Sequence, residues 1–314
     1  VLGYIVRRLA QAVVVVLGVT VLAFVLRQLL PGNLARDLDP RATVAQEKVI
    51  DAQLGLNHPL PVQYFKFLDQ LIHGNLGYSY IYNQTVDSLV QHEILRDVVL
   101  LGLAFIISVL LAVPVGLLQA VRRNRAADYV GTTVAFFFYA LPDFLLGILL
   151  VAVFADHFHF FDPTAPNLPI TGVLSHFWRG LTLPLVTEIL VGYAAYSRFM
   201  RSSAIDSLTQ DYIRTARAKG LSERAVLFRH VLRNSLIPMA TLIGLSLPVI
   251  FTSGLLIEAV FNFNGVALQF YTSSTRGDFP TVFGLTVLIG AFTVIGNLLA
   301  DIAYAVLDPR VRYS

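Results

Sequence analysis

The sequence predicts an all-α, polytopic membrane protein with six transmembrane helices. Its mean hydropathy is +0.68. Only 14% of its 314 residues are charged, against about 25% in an ordinary soluble domain. Apolar runs long enough to cross a hydrocarbon core of about 30 Å, which takes about 20 helical residues, occur near 9–30, 98–121, 130–154, 181–200, 235–257 and 282–307. Helices are the expected spanning form, because backbone polar groups in lipid must be satisfied within the segment and alternating barrel strands are absent.

The first run follows Arg7 and Arg8 and lacks a small-residue cleavage pattern, so it reads as a retained helix whose Arg27 snorkels to the outer interface. The loop after it, 31–97, carries two helical patterns. Thr43 with Gln46 forms a capping box for a helix that stops at Gly55, and a second helix starts near Pro61 and closes at Gly74. Within the third run Asp143 follows Pro142. The loop 155–180 is rich in Pro and aromatics, and its His157 and His159 suit interfacial side chains better than a metal site. Glu188 falls in the fourth run and Asp301 in the sixth. Pro114, Pro142, Pro184, Pro238 and Pro248 fall in or at the ends of runs two to five, where each removes a backbone hydrogen bond and permits a bend.

Lys and Arg set the orientation. One side of the predicted topology collects Arg7 and Arg8, then Arg122, Arg123 and Arg125, eight basic residues between Arg198 and Arg233, and finally Arg310 and Arg312. The short loops on the other side, 155–180 and 258–281, hold only Arg179 and Arg276. Both termini are therefore expected in the cytoplasm. The chain divides into a cytoplasmic N-terminus with the first helix (1–30), an extracytoplasmic helical region (31–97) and a five-helix core (98–314) whose largest cytoplasmic loop is 198–234.

That loop contains "YIRTARAKGLSERAVLFRHVLRNSLIP", Tyr212 to Pro238, with six basic residues and one acid, Glu223. Gly220 suits a helix C-terminus, and Ser222 can cap a second helix with Glu223 in its first turn. In the second helix Leu221, Ala225, Phe228 and Leu232 form an apolar stripe with basic residues around it. Ala216, one turn before Gly220, is expected on the face that meets a partner. A helix-turn-helix reader of DNA is the rival reading, but the loop is too short for the third helix of such a domain, so no nucleic-acid partner is expected.

Enzyme readings fail on composition. The chain has no cysteine, and none of its three lysines is followed by Ser or Thr, so it has no P-loop. It also lacks GxSxG and HExxH. Asp143, Glu188 and Asp301 are the candidate intramembrane polar residues. Each must face protein or water, because placing a charge at a helix centre costs about 2.5–3.5 kcal/mol on insertion scales. They could line a path or relay protons, and scattered over three spans they better suit interhelical polar contacts.

"DYIRTARAKGLSERAVLFRHVLRNSLIP" closely resembles the cytoplasmic coupling loop of binding-protein-dependent ABC importer permeases, in particular the dipeptide, oligopeptide and nickel branch. "LGLNHPLPVQYFKFL", "GNLGYS" and the closing "NLLADIAYAVLDPRVRY" resemble the first-subunit permease of that branch. The resemblance implies a type I importer permease fold in a prokaryotic cell membrane. It also implies a second, homologous permease subunit, two ATPase subunits holding ATP and Mg, and an extracytoplasmic binding protein. On this resemblance the chain itself binds no cofactor and catalyses nothing. Its ATPase-coupling loop falls on Tyr212, Arg214, Thr215, Ala216, Arg217, Ala218, Lys219, Gly220, Leu221, Ser222 and Arg224. Arg214 stands where the general signature has Glu, and "EAVFNFNGVAL" lacks the Trp and Pro-Gly-Leu-Gly run of the corresponding outer loop. Dipeptides, oligopeptides, nickel or haem chelates and glycans share this architecture. The alternative is a self-sufficient secondary transporter or channel built on Asp143, Glu188 and Asp301.

Overall fold

The computed structural model describes residues 2–29, 43–45, 57–79, 81–165, 177–246 and 254–307. Its first helix, α1 (Leu2–Leu29), is followed by α2 (Leu60–Ile72), a two-stranded antiparallel hairpin of β1 (Tyr78–Ser79) and β2 (Gln84–Thr85), and α3 (Val86–Val121). Then come α4 (Ala126–Ala140), α5 (Asp143–Leu150), α6 (Thr182–Leu208), α7 (Asp211–Ala218), α8 (Glu223–Val226), α9 (Leu232–Ser246), α10 (Leu255–Val260), α11 (Val266–Arg276) and α12 (Phe279–Leu307).

Among the described residues, Val6–Leu26, Val86–Val121 and Phe279–Leu299 are helical, long and apolar enough to cross a membrane singly. The third predicted run is bent: α4 and the helix from Asp143 to His157 meet at 101°. Pro142 sits at the break, extended at φ −56°, ψ 137°, so Asp143 becomes the first residue of a new helix. The fourth run is α6, whose last turns carry Arg198, Arg201 and Asp206 beyond its apolar stretch. The fifth begins as α9 and ends in the first residues of α10, while its stretch 247–253, with Pro248, lies outside the described residues. The predicted helix ending at Gly55 lies almost wholly outside them as well.

The second helical pattern of the outer region forms α2, which ends at His73 with Gly74 at φ 76°. It leans on α1 through a Thr20–Tyr64 hydroxyl contact of 2.9 Å and an edge-on Phe24–Tyr64 ring pair. Helix α3 starts at Val86, well before the apolar run at 98. At about 1.5 Å per residue its 36 residues reach about 54 Å, more than the bilayer core needs. The excess carries the outer region on a rigid extension.

The core sits between α3 and α6. Gly116 of α3 lies so close to α6 that an added β-carbon would come within 2.6 Å of the Ser197 carbonyl oxygen. On α6 a β-carbon at Gly192 would meet Ser108 Oγ at 2.6 Å. Ser108 in turn donates across the contact to the Ile189 carbonyl at 3.1 Å. Small residues and a cross-helix hydrogen bond are how helices associate in lipid, where apolar burial gives little drive. One apolar cluster around Leu100, Leu181, Phe261 and Phe263 fills one half of the bundle, and another around Ala112, Met200, Ile213, Val231 and Met239 fills the other.

Candidate coupling segment and intramembrane acids

The basic segment folds as a helix, a tight turn and a second helix. Lys219 ends α7, Gly220 adopts φ 77°, Gly220 N donates to the Arg217 carbonyl at 2.9 Å and Leu221 N to the Ala216 carbonyl at 3.3 Å. Those two bonds with a left-handed glycine make a Schellman closure, which satisfies the orphan carbonyls of the last turn. Ser222 then caps α8, its Oγ accepting from Ala225 N at 3.4 Å, and Glu223 lies in the first turn. Arg217 holds Glu223 across the turn through two parallel bonds of 2.9 and 3.1 Å. Both side chains are well exposed, so this clamp fixes geometry and contributes at most about 1 kcal/mol.

The inner face of the segment differs from the expected one. Ile213 and Ala216 of α7 are buried, at 0% and 5% exposure, against Val226, Val231 and Met239. Ala216 therefore meets the chain's own bundle, and the expectation that it faces a partner is corrected. In the second helix Leu221 and Leu232 pack against that cluster, whereas Phe228 is 61% exposed. Val226 and Val231 take the buried face instead, spaced five residues apart across a π-type turn over Leu227–Val231, and Phe228 falls on the opposite side. Such a turn hydrogen-bonds five residues back instead of four, which lets Val226 and Val231 share that face. Tyr212, Arg214, Thr215, Arg217, Ala218, Lys219, Gly220, Ser222 and Arg224 are all exposed. A groove of about 390 Å³ runs beside them, between Val121, Leu208 and the α8 region.

The segment is fastened to the bundle by polar contacts too. Tyr212 and Ser207 share a 2.7 Å hydroxyl contact, and Ser235 of α9 and Ser203 of α6 each donate to the other's carbonyl. At the same end Arg201 makes two bonds of 2.6 and 2.8 Å to Asp128, whose Oδ2 also accepts from Asn124 N at 2.9 Å. This pair ties the α3–α4 turn to α6. Sequence reading did not single it out, because the two residues are far apart in the chain.

Of the three candidate intramembrane acids, Asp143 and Glu188 lie on helices that pack together, and Asp301 lies apart from them. Asp143 Oδ1 accepts from Phe144 N at 2.7 Å at the start of α5. Glu188 lies on α6, the helix that packs against α5. Asp301 instead pairs with Arg8 of α1 at 3.2 Å, an interhelical tie of the structural kind. His157 and His159 sit where the α5 helix unravels, His157 edge-on to Phe158 with ring centroids 4.8 Å apart, and His159 at φ 54°.

A further polar centre escaped the sequence reading. Asp97, near the outer end of α3, accepts from Val266 N at 2.8 Å, and Glu258 accepts from Leu268 N at 2.7 Å, so both carboxylates serve the first turn of α11. Arg96 donates to the Asn264 carbonyl at 3.4 Å and lies over the Phe263 ring. Glu93, Arg96, Asp97 and Glu258 are all buried. Gly265 makes the approach possible, since a β-carbon there would collide with Asp97 and Glu258. The only signal in the sequence was the run of three ionisable residues between 93 and 97 on a helical period.

A bent helix pair, a bundle built on the α3–α6 crossing and an exposed basic helix–turn–helix segment at one end are the features to compare with known proteins. The family described as binding-protein-dependent transport system inner membrane component matches residues 112–313, and the N-terminal family of the same transport components matches 1–101. The chain belongs to this permease family. A putative peptide permease protein of Brucella ovis is 37% identical over the full length of both chains. The oligopeptide transport system permease protein AppB of Bacillus subtilis is 34% identical over 99% of each chain. The glutathione transport system permease protein GsiC of Salmonella choleraesuis is 33% identical over both full lengths. A crystal structure of an amino acid ABC transporter with histidines matches with a TM-score of 0.53 at 14% identity, covering 68% of this chain and 91% of that one, which shows a shared fold. The protein is thus an inner-membrane permease component of a binding-protein-dependent ABC importer.

Proposed function

We propose that this permease forms half of the translocation path for peptides and takes its energy from separate ATPase subunits. In this reading a second, homologous permease completes the path, two ATPase subunits hold ATP and Mg, and an extracytoplasmic protein delivers the peptide. The substrate class rests on relatives named for peptides, oligopeptides and glutathione. The termini and the 198–234 loop lie in the cytoplasm, the 31–97 region outside, and the core over 98–314.

One observation carries the coupling role. The α7–α8 segment presents an exposed basic face with Phe228 at its edge, while Ile213, Ala216, Val226 and Val231 bolt its other face to the bundle. A force applied to the exposed face must then move α6 and α9, because a close-packed interior transmits displacement. With no P-loop of its own, the chain needs such a lever.

The test is reconstitution of the complex with its paired permease, ATPases and binding protein in liposomes, reading ATPase, uptake and subunit retention together. Phe228→Asp and Arg214→Glu alter only exposed positions, so the permease should fold. Uptake should fall about tenfold or more, the equivalent of about 1.4 kcal/mol of docking, with ATPase subunits lost or their turnover no longer matched by transport. Normal coupled uptake in both variants would remove the lever from the mechanism. Uptake that persists without ATPase subunits and collapses with a proton ionophore would favour a secondary transporter.

A further inference from the structure

Arg198 of α6 holds its guanidinium over two rings of α4, 4.1 Å from the centroid of Phe136 and 4.3 Å from that of Tyr139. Among the described residues it has neither a hydrogen bond nor an acidic partner. Its neighbour Arg201, one turn on, is taken by Asp128. Together these contacts show that α4 and α6 run antiparallel, and they fix where the Arg198 head lies. Arg198 comes about 4.5 Å before Arg201 along α6, yet Phe136 and Tyr139 stand about 12 Å and about 16 Å beyond Asp128 along α4, at about 1.5 Å per residue. The head therefore reaches away from the charged end of α6 and back into the apolar run 130–154. Snorkelling to that charged end would point it the other way.

We propose that Arg198 is a subsite of the translocation path and takes the carboxylate of a passing peptide, a role that rests on the peptide-importer reading above. Aromatic rings cover the flat face of a guanidinium and leave its edge of N–H donors open. That edge is a fork matched to a carboxylate, which it holds through two parallel bonds. A charge at this depth must meet protein or water, and among the described residues the chain supplies no acid for it. The clamp opens outward, with Phe136 50% and Tyr139 59% exposed. The break at Pro142, about one turn beyond Tyr139, favours water there, because freed backbone groups in a membrane also require water or protein. Discontinuous helices of this kind carry solute sites in membrane transporters. Positive-inside bias accounts for an arginine near the end of α6, but not for one drawn back onto two rings. Because the rings hold the head without neutralising its charge, an anion can bind and leave with no salt bridge to break.

The experiment uses the complex with its paired permease and ATPases in lipid nanodiscs, open to reagents from both faces and turning over ATP. Thr133→Cys places a thiol on the exposed side of α4, one turn before Phe136, in a chain with no other cysteine. Intact mass of this chain follows its labelling by an anionic sulfonate and a cationic ammonium methanethiosulfonate of similar size, each corrected for its rate with a free thiol. The sulfonate should react about fivefold faster or more, the size expected for a unit charge within about 10 Å in a partly screened site. Arg198→Gln should remove that preference, and Arg198→Lys should keep most of it. Arg198 makes no hydrogen bond that either variant breaks, so both should assemble. In liposomes with the binding protein added, Arg198→Gln should lower ATP-driven uptake of trialanine about tenfold. Arg198→Lys should lower it less, since an ammonium keeps the charge and loses the fork. A labelling preference unchanged by Arg198→Gln would overturn the proposal. So would a thiol silent toward both reagents, which would set the clamp against lipid or the second permease. Unchanged trialanine uptake in Arg198→Gln would also overturn it. A wild-type complex with no ATP-driven trialanine uptake would instead count against the peptide reading, and the labelling preference, which uses no peptide, would still decide the site.

Discussion

Gly220 closes the turn between α7 and α8. Its φ of 77° is a conformation that L side chains adopt at a cost of about 1–2 kcal/mol. A β-carbon added there meets nothing within 4 Å. Gly220→Ala and Gly220→Trp therefore pay the same backbone strain inside this chain, and Trp differs only by projecting into whatever lies beyond the turn. If an ATPase subunit docks here, the two variants should show similar melting temperatures but unequal uptake, with Trp at least about tenfold lower. Equal uptake in the two would place the docking surface elsewhere. Ala216→Asp asks a different question, since it would bury an unpaired carboxylate among Ile213, Val226 and Met239. Its expected effect is loss of folded permease in membranes, measured by yield after mild solubilisation.

Among the elements, the α3–α6 crossing sets how closely the bundle closes. Gly116 leaves no room for a β-carbon beside Ser197 and Met200, whereas Gly102 of the same helix has nothing within 4 Å of that position. Gly116→Leu should force the helices apart and lower the melting temperature of the purified complex, by the equivalent of about 1–3 kcal/mol for overpacking. Gly102→Leu should leave it nearly unchanged. A matched response in both variants would mean that helix propensity, not close approach, governs these positions. The α4–α5 break is the complementary device. It puts a helix start carrying Asp143 against α6, and in lipid a broken helix is tolerated only where protein or water meets its freed backbone groups. The α11 helix is fixed differently, by two carboxylates from α3 and α10 that accept its first N–H groups. Carboxylates are favoured at a helix N-terminus by the orphan donors and the dipole there.

For the molecule as a whole, the side on which the lever lies is decided by charge asymmetry and can be tested without any partner. The native chain has no cysteine, so single introduced thiols report without background. Arg123→Cys in the α3–α4 turn and Arg224→Cys in α8 should be shielded from an impermeant thiol reagent in intact cells. Gln70→Cys in α2 should react. Arg123 is a better site than its neighbour Asn124, whose φ of 62° would strain a cysteine. Labelling of Arg224→Cys from outside would invert the arrangement and remove the ATPase surface from the cytoplasm.

Local physics was legible in the sequence. Hydropathy marked the apolar runs, Pro142 marked the break, and Gly220 with Ser222 marked the turn of the lever. A membrane's demand for apolar length, a missing amide hydrogen and a positive φ each act within a few residues, and they leave a signature there. What the sequence left open depends on who lies opposite. Ala216 turned inward, Phe228 turned out within a π-type turn, Asp301 found Arg8, and Asp97 with Glu258 met at the start of α11. Those outcomes belong to the tertiary structure because the energy of burying or pairing a side chain is set by its neighbours in space, and here those neighbours come from helices far apart in the chain.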